Sequence, residues 1–473
     1  MSRLAEPQFS FADLELRNQG VHLDPLLQSI LAFLDDHATL VEQVRQDLVR
    51  GLKNPNTGRD GITAAQTLRS LILMRVKNWD YRELRERIND GHTLRTFTDF
   101  DSHRVPQHDA FNRAFNRLTP ATIEAINRAV VQAAVQLGLE DGKHLRVDTT
   151  VVETDIHFPT DATLLWDTVR SVTRLVKELH QRLPRGVQGF TNRTRSARRH
   201  MQELERMTAQ ERHTQQEPRY RELLRITQQV LESARQMVKK TGKVKGVDAT
   251  ASLMIDQIRR QITAYCDLGD RVIDQTRRRV IDGAQVPAEE KVYSIFESHT
   301  DLIKRGKARK PVEFGHKVFL AESARGLITD YRVLDGNPAD TSQVQASLQR
   351  HQQTFHCAPD LYAADRGFYS AENLDECEKA GVSQVSIPQR GGQKTAERET
   401  LERSPSFKKG QRFRVGIEGR ISVLFRGRGM KRCRARGRER FEVLVGAAVL
   451  ANNLLRIAEM LRNRKPARAK KAA

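Results

Sequence analysis

The spacing of apolar side chains divides the chain into stretches of different period. From about residue 25 to 140 the pattern is helical: in ITAAQTLRSLILMRVKNWDYRELRERI, Leu68, Leu71, Ile72, Leu84 and Ile88 fall at core spacings. VPQHDAFNRAFNRLT sets Phe111 and Phe115 one turn apart, and a further amphipathic helix is expected from Ala121 to Leu137. Short helices joined by polar turns suit a helix-turn-helix DNA reader, and they equally suit a plain helical bundle. At HLRVDTTVVE, residues 144–153, the run becomes β-branched, which predicts a strand carrying Asp148.

Leu165, Val169, Val172, Val176, Leu179 and Leu183 then step by four and three, a heptad seam on one helix face that Pro184 ends. A second seam runs through Leu224, Leu231 and Val238, and a third through Ile255, Ile258, Ile262, Tyr265 and Val272. Three long charged helices of this kind predict an antiparallel bundle over residues 164–290, inserted after the first strand. From residue 312 strand signals return. HKVFLAE and LITDYRVLD flank Ala324, Arg325 and Gly326 as a hairpin would, and NPADTSQVQASLQRHQQ opens a helix with Asp340 or Thr341 as its cap. DLYAADRGF reads as a strand ending in Asp365, SAENLDECEKAG as a helix capped by Ser370, and VSQVSIPQ as another strand. A last helix, FEVLVGAAVLANNLLRIAEMLR, precedes a basic tail. The alternation is α/β, a mixed sheet covered by helices.

With 473 residues the chain is too long for one ordinary core. The expected parts are an N-terminal helical, DNA-binding domain (1–140), a first strand of a catalytic core (141–163), the helical insertion (164–290), the rest of the core (291–463) with a basic segment at 403–440, and a tail (464–473). The formal net charge of +21 and a pI near 10.1 match the footprint of a protein that neutralises phosphates. No run of about 18 apolar residues stands out, and the polar start lacks a signal peptide's core, so a soluble, cytoplasmic protein without a membrane partner is expected. Cys266, Cys357, Cys377 and Cys433 lack CxxC spacing, which argues against a zinc cluster or a disulfide framework.

Asp148 sits within an apolar strand, where a charge is costly unless it is paired or binds metal. Asp365 ends a strand just before Arg366 and Gly367, where a carboxylate points into the crevice beyond the sheet. The blocks LRVDTTVVETDIHFPTD, EFGHKVFLAE, LYAADRGFYS and FRVGIEGRIS, in this order, resemble the catalytic core of bacterial insertion-sequence transposases of the DDE type, close to the IS5-like and ISNCY-like groups. The N-terminal block through DFDSHRVPQHDAFNRAFNRL resembles their DNA-binding domain. The resemblance implies a ribonuclease-H-like fold with a first aspartate on the first strand, a second on the fourth strand and a glutamate on a later helix. These fall on Asp148, Asp365 and Glu418, at intervals of 217 and 53 positions. Arg414 precedes Glu418 by four residues as in the family's motif, whereas Gln411 replaces its tyrosine and Phe425, beside Arg426, its lysine. Glu442 is a rival for the third position.

The resemblance further implies two magnesium ions per site, with manganese as a substitute, held by Asp148, Asp365 and Glu418. It implies cleavage and strand transfer on double-stranded DNA, at the element's terminal inverted repeats and at a target, by a homodimer in the synaptic complex. Two metal ions suit such chemistry because they stabilise the attacking and leaving oxygens together. Between Arg403 and Arg440 fourteen basic residues face two acids, Glu418 and Glu439. Arg414, Arg420, Arg426, Arg428, Lys431, Arg432, Arg434 and Arg436 are the expected DNA contacts. Glu153, Asp155, His157 and Asp161 read as a polar exit loop, in which His157 could orient a phosphate; His316 and Lys317 could reach DNA or a bound metal's outer shell but read first as packed residues, and Trp79 and Trp166 as ordinary packing. Two alternatives stay open: a DNA-binding protein derived from a transposase without catalysis, and a nuclease of the same fold.

Overall fold

The computed structural model describes residues 22–54, 57, 61–183, 189–241, 248–304 and 311–464; Pro184 and the basic tail beyond Arg464 lie outside the described residues. The chain separates into two compact units, one formed by Met1–Glu153 with His316–Ala473 and the other by Thr154–Gly315.

Among the described residues, the first unit holds the helices α1 (Pro25–Asp36), α2 (Thr39–Val49), α3 (Ala64–Lys77), α4 (Tyr81–Asp90), α5 (His92–Phe97), α6 (His108–Phe115) and α7 (Pro120–Gln136) ahead of strand β1 (His144–Thr154). Side-chain caps fix where several of these helices start. Asp24, Asp80 and Thr119 each accept backbone N–H groups of the first turn, and Thr63 forms a reciprocal box with Gln66.

The second unit holds α8 (Asp161–Gln181), α9 (Thr194–Arg206), α10 (Ala209–Thr241), α11 (Ala249–Thr276) and strand β2 (Asp301–Lys304). The seam residues of α8 join Leu224, Leu231, Ile255, Ile258 and Ile262 in one core. Helix α9 adds Ala197, Met201 and Leu204 to that core, so among the described residues the bundle has four helices where the seams predicted three. Its few apolar positions are hidden among the charges of TRSARRHMQELER. Strand β2 runs antiparallel to the first residues of β3 (Val312–Ser323), with Asp301 opposite Gly315.

The chain then completes the first unit with β4 (Ile328–Val333), α12 (Val344–Phe355), β5 (Leu361–Ala363), α13 (Ala371–Lys379), β6 (Gln384–Ser386), α14 (Ala396–Arg403), α15 (Pro405–Gly427), β7 (Arg432–Cys433) and α16 (Arg438–Asn463). Its sheet runs in the order β4, β3, β1, β5, β6, with β7 paired to β1. The pair β3 and β4 is antiparallel around a turn at Gly326, whose φ of +85° favours glycine. The pairs β1 with β5 and β5 with β6 are parallel. Alternation sorts the strands' side chains to two faces. Leu145, Val147, Phe319, Tyr362 and Ala364 pack with α12 and α13 on one face. Val152, Val318 and Leu320 meet Ile417 and Leu424 of α15 and Val445 and Val449 of α16 on the other.

Three differences from the sequence reading stand out. Asp340 and Thr341 both lie in a single 3-10 turn, Asp340–Gln343, and neither caps α12, whose N-cap position is Gln343. Two helices, α14 and α15, intervene between β6 and the last helix. The last helix, α16, does contain an 18-residue window apolar enough to cross a membrane, with mean hydropathy 1.5, but 78% of that window is buried inside the protein. Leu450, Leu454 and Ile457 of α16 enter the core of the N-terminal helices, so those helices share their interior with the chain's far end. A helix that packs on several sides is apolar nearly all round.

Candidate active site

The parallel register of β1 and β5 decides where the two aspartates lie. His144 stands opposite Leu361, Leu145 opposite Tyr362 and Arg146 opposite Ala363, so two further steps bring Asp148 level with Asp365. Neighbouring strands lie about 4.8 Å apart, which sets the two backbones side by side. Both residues project on the α15 face, since Val147 and Ala364 point to the opposite core. Asp365 leaves the sheet in an extended conformation and its Oδ1 accepts from Gly367 N at 2.7 Å, so the local turn aims the carboxylate. Burial, followed by the negative charge of Asp365, pushes the Asp148 carboxyl up to about 6, against the opposing pull of the Thr149 amide and Arg414.

Helix α15 brings the remaining groups. Arg414 stands between two carboxylates, with Nη1 3.6 Å from Asp148 Oδ2 and Nη2 2.9 Å from Glu418 Oε1. Glu418 is exposed, and among the described residues this guanidinium is what ties it to Asp148. Among the described residues, no group of three or more His, Cys, Asp or Glu stands together to hold a metal ion. Glu442, the rival glutamate, accepts from Arg438 Nε on α16 instead.

A third aspartate is present that the sequence reading treated as a helix cap. Asp340 Oδ1 accepts from Thr149 Oγ1 at 2.8 Å and pairs with Lys317 Nζ at 2.7 Å. Its charge is felt at Asp148, and its Oδ2 lies beside Gly367. Lys317 thus supplies a buried positive charge next to the aspartates, while His316 is buried as well and packs edge-on against Phe441.

Small residues and one amide seat α15 against the strands. Gln411, at the position where the tyrosine was expected, donates through Nε2 to Ser386 O at 2.6 Å and Ala364 O at 3.2 Å, clamping the helix across the ends of β5 and β6. A Cβ at Gly416 would overlap the Arg146 guanidinium, which donates to Phe413 O and to Glu322 at 2.8 Å each. Glu322 is fully buried and also receives Arg420 Nε at 2.8 Å.

Two comparisons with protein families bear on this arrangement. The family described as a transposase DDE domain matches residues 274–454, and the family described as a transposase domain, DUF772, matches residues 18–117. The chain belongs with the DDE transposases of insertion sequences. The first match contains Asp365, Arg414 and Glu418, the second covers helices of the N-terminal block, and Asp148 falls in neither. No curated protein and no solved structure matches the chain.

The basic segment of this transposase divides into engaged and open side chains. Arg420 is held by Glu322 and by Asn452 Oδ1 at 3.0 Å, so its charge is used inside the fold rather than toward a partner. Arg428 donates to Val76 O at 2.6 Å, Arg432 pairs with Glu153 at 3.1 Å, and Arg414 is taken up as described. Arg426, Lys431, Arg434 and Arg436 are exposed. Of the polar residues weighed near the first strand, Glu153 receives Arg432, His157 binds Asp167 at 2.6 Å, and Asp161 receives Arg279 at 2.7 Å.

Proposed function

We propose that the transposase cleaves DNA at the ends of its element and joins the freed ends to target DNA, using divalent cations held by Asp148, Asp365 and Glu418. The observation that carries this reading is the level placement of Asp148 and Asp365 with Asp148 raised to about 6. Burial and the neighbouring charge of Asp365 make an ionised Asp148 costly in the metal-free fold, which a cation at the site would relieve. Its donors are hard carboxylate oxygens, which suit magnesium or manganese. A bound divalent cation would polarise the phosphodiester and favour ionisation of an attacking water.

The protein's part is to fix these carboxylates and to meet the DNA. Asp365 is oriented by the Gly367 amide and Asp148 by the Thr149 amide. Arg414 keeps Glu418 close until an arriving phosphate competes for its guanidinium, which releases Glu418 to complete the set. The sheet order, its helices on both faces and the long helical segment after β1 support the ribonuclease-H-like reading with an insertion. Arg426, Lys431, Arg434 and Arg436 are the contacts to phosphate that the fold leaves open.

The test is a gel assay on DNA carrying the matching inverted ends that flank the gene. Nicked and joined products with magnesium, lost in Asp148→Asn with DNA binding retained, are the expected result. The tie between Arg414 and Glu418 favours a second reading, a DNA-binding protein without cleavage. It predicts a shifted band and no product under any metal condition.

A further inference from the structure

Away from the aspartates, the first unit contains a cleft of about 550 Å³ between the end of α3, the start of α4, helix α6 and the β7 segment. Six cations line it, Arg75, Lys431, Arg432, Arg434, Arg436 and Arg440, of which Arg432 is paired with Glu153, and one carboxylate, Asp80, is part of the lining. Asp80 is already committed, since its Oδ1 accepts from Arg82 N and Glu83 N at the start of α4. The cleft is firmly built. Asn78 Nδ2 donates to Arg426 O at 3.3 Å, Arg428 donates to Val76 O, and a Cβ at Gly429 would collide with Asn78.

Arg75 makes this more than a charged surface. It is only 8% exposed, its Nε has no hydrogen-bond partner, and among the described residues no carboxylate pairs with it. Burial pushes its pKa down. A buried guanidinium without an anion is costly to keep, so its presence points to an anion that arrives from outside. Trp79 and Tyr81 add half-buried aromatic faces, and Asn112 and Asn116 add amide donors and acceptors. Planar rings, amides and fork-shaped cations together match a nucleotide chain: phosphates for arginine, bases for rings and amides.

We infer that this cleft is a binding site for the phosphodiester backbone of DNA, with Arg75 as its buried anion-binding group. The site joins the N-terminal helices to the basic segment, so one DNA strand engages both. The inference rests on the transposase reading for its partner but not for any cleavage step.

The test is binding of the full-length protein, in the presence of a metal chelator, to a random-sequence duplex and to the matching single strand. The variants are Arg75→Met and the exposed pair Arg434→Glu with Arg436→Glu. Each variant is expected to weaken binding by about tenfold or more, with a salt dependence shallower by roughly 0.9 on the duplex, or roughly 0.7 on the single strand, for every phosphate no longer neutralised. Arg75→Met should melt at the same temperature as the parent or higher, because it removes an uncompensated buried charge. A loss confined to one DNA form identifies that form as the occupant. Full affinity of both variants for both DNA forms would overturn the inference, as would Arg75→Met melting lower while binding DNA normally. Because no metal is present, absence of cleavage activity leaves this result unaffected.

Discussion

Replacing Asp148 by Asn should stabilise the metal-free protein while removing cleavage. The Asp148 carboxyl lies at about 6 in the fold against an ordinary 3.8, chiefly through burial and the charge of Asp365. Between those two values the folded state binds more protons than the unfolded state, so stability falls as pH rises through the window and stays low above it. At about 1.36 kcal/mol per unit, ionised Asp148 withholds roughly 3 kcal/mol at pH 8, an upper value because water reaches the partly exposed side chain. The substituted amide keeps an acceptor for the Thr149 N–H without the charge. Urea unfolding in chelator should show the gain at pH 8, shrinking to roughly half at pH 5. Magnesium should stabilise the parent and not the variant. An Asp148→Asn protein no more stable than the parent at pH 8, or a gain independent of pH, would refute the reasoning.

Glu322→Gln leaves Arg146 and Arg420 facing a neutral group at a fully buried position, and should cost about 3–5 kcal/mol in urea unfolding. Gly416→Ala drives a methyl into the Arg146 guanidinium and should cost about 1–3 kcal/mol, with cleavage falling as α15 shifts. Gly419→Ala, on the same helix with nothing within 4 Å, should leave cleavage unchanged and serves as the control. Arg426→Ala should reduce the salt slope of DNA binding by about 0.9 without changing stability. Arg420→Ala should do the reverse, because its guanidinium is bound to Glu322.

The strands that carry the aspartates were legible because β-branched and apolar runs mark them, as in HLRVDTTVVE and LYAAD. Their adjacency was not, since the spacing from Asp148 to Asp365 says nothing about which strands pair. Asp340 escaped because NPAD before an amphipathic stretch has the local chemistry of a helix cap, and only its tertiary contacts to Lys317 and Thr149 show another use. Counting charges between Arg403 and Arg440 located the basic segment but cannot tell a satisfied arginine from an open one. Arg420 and Arg438 find Glu322 and Glu442, acids remote in sequence or one helical turn away. Arg75 was invisible for the same reason: within LILMRVK it reads as one more surface cation, yet the fold buries it.

The central claim, that Asp148 and Asp365 together hold a divalent cation, is most directly tested by anomalous diffraction from crystals of the protein with manganese. The account predicts a manganese peak at those two carboxylates, absent in Asp148→Asn. A parent structure with manganese bound elsewhere, and none between them, would contradict it.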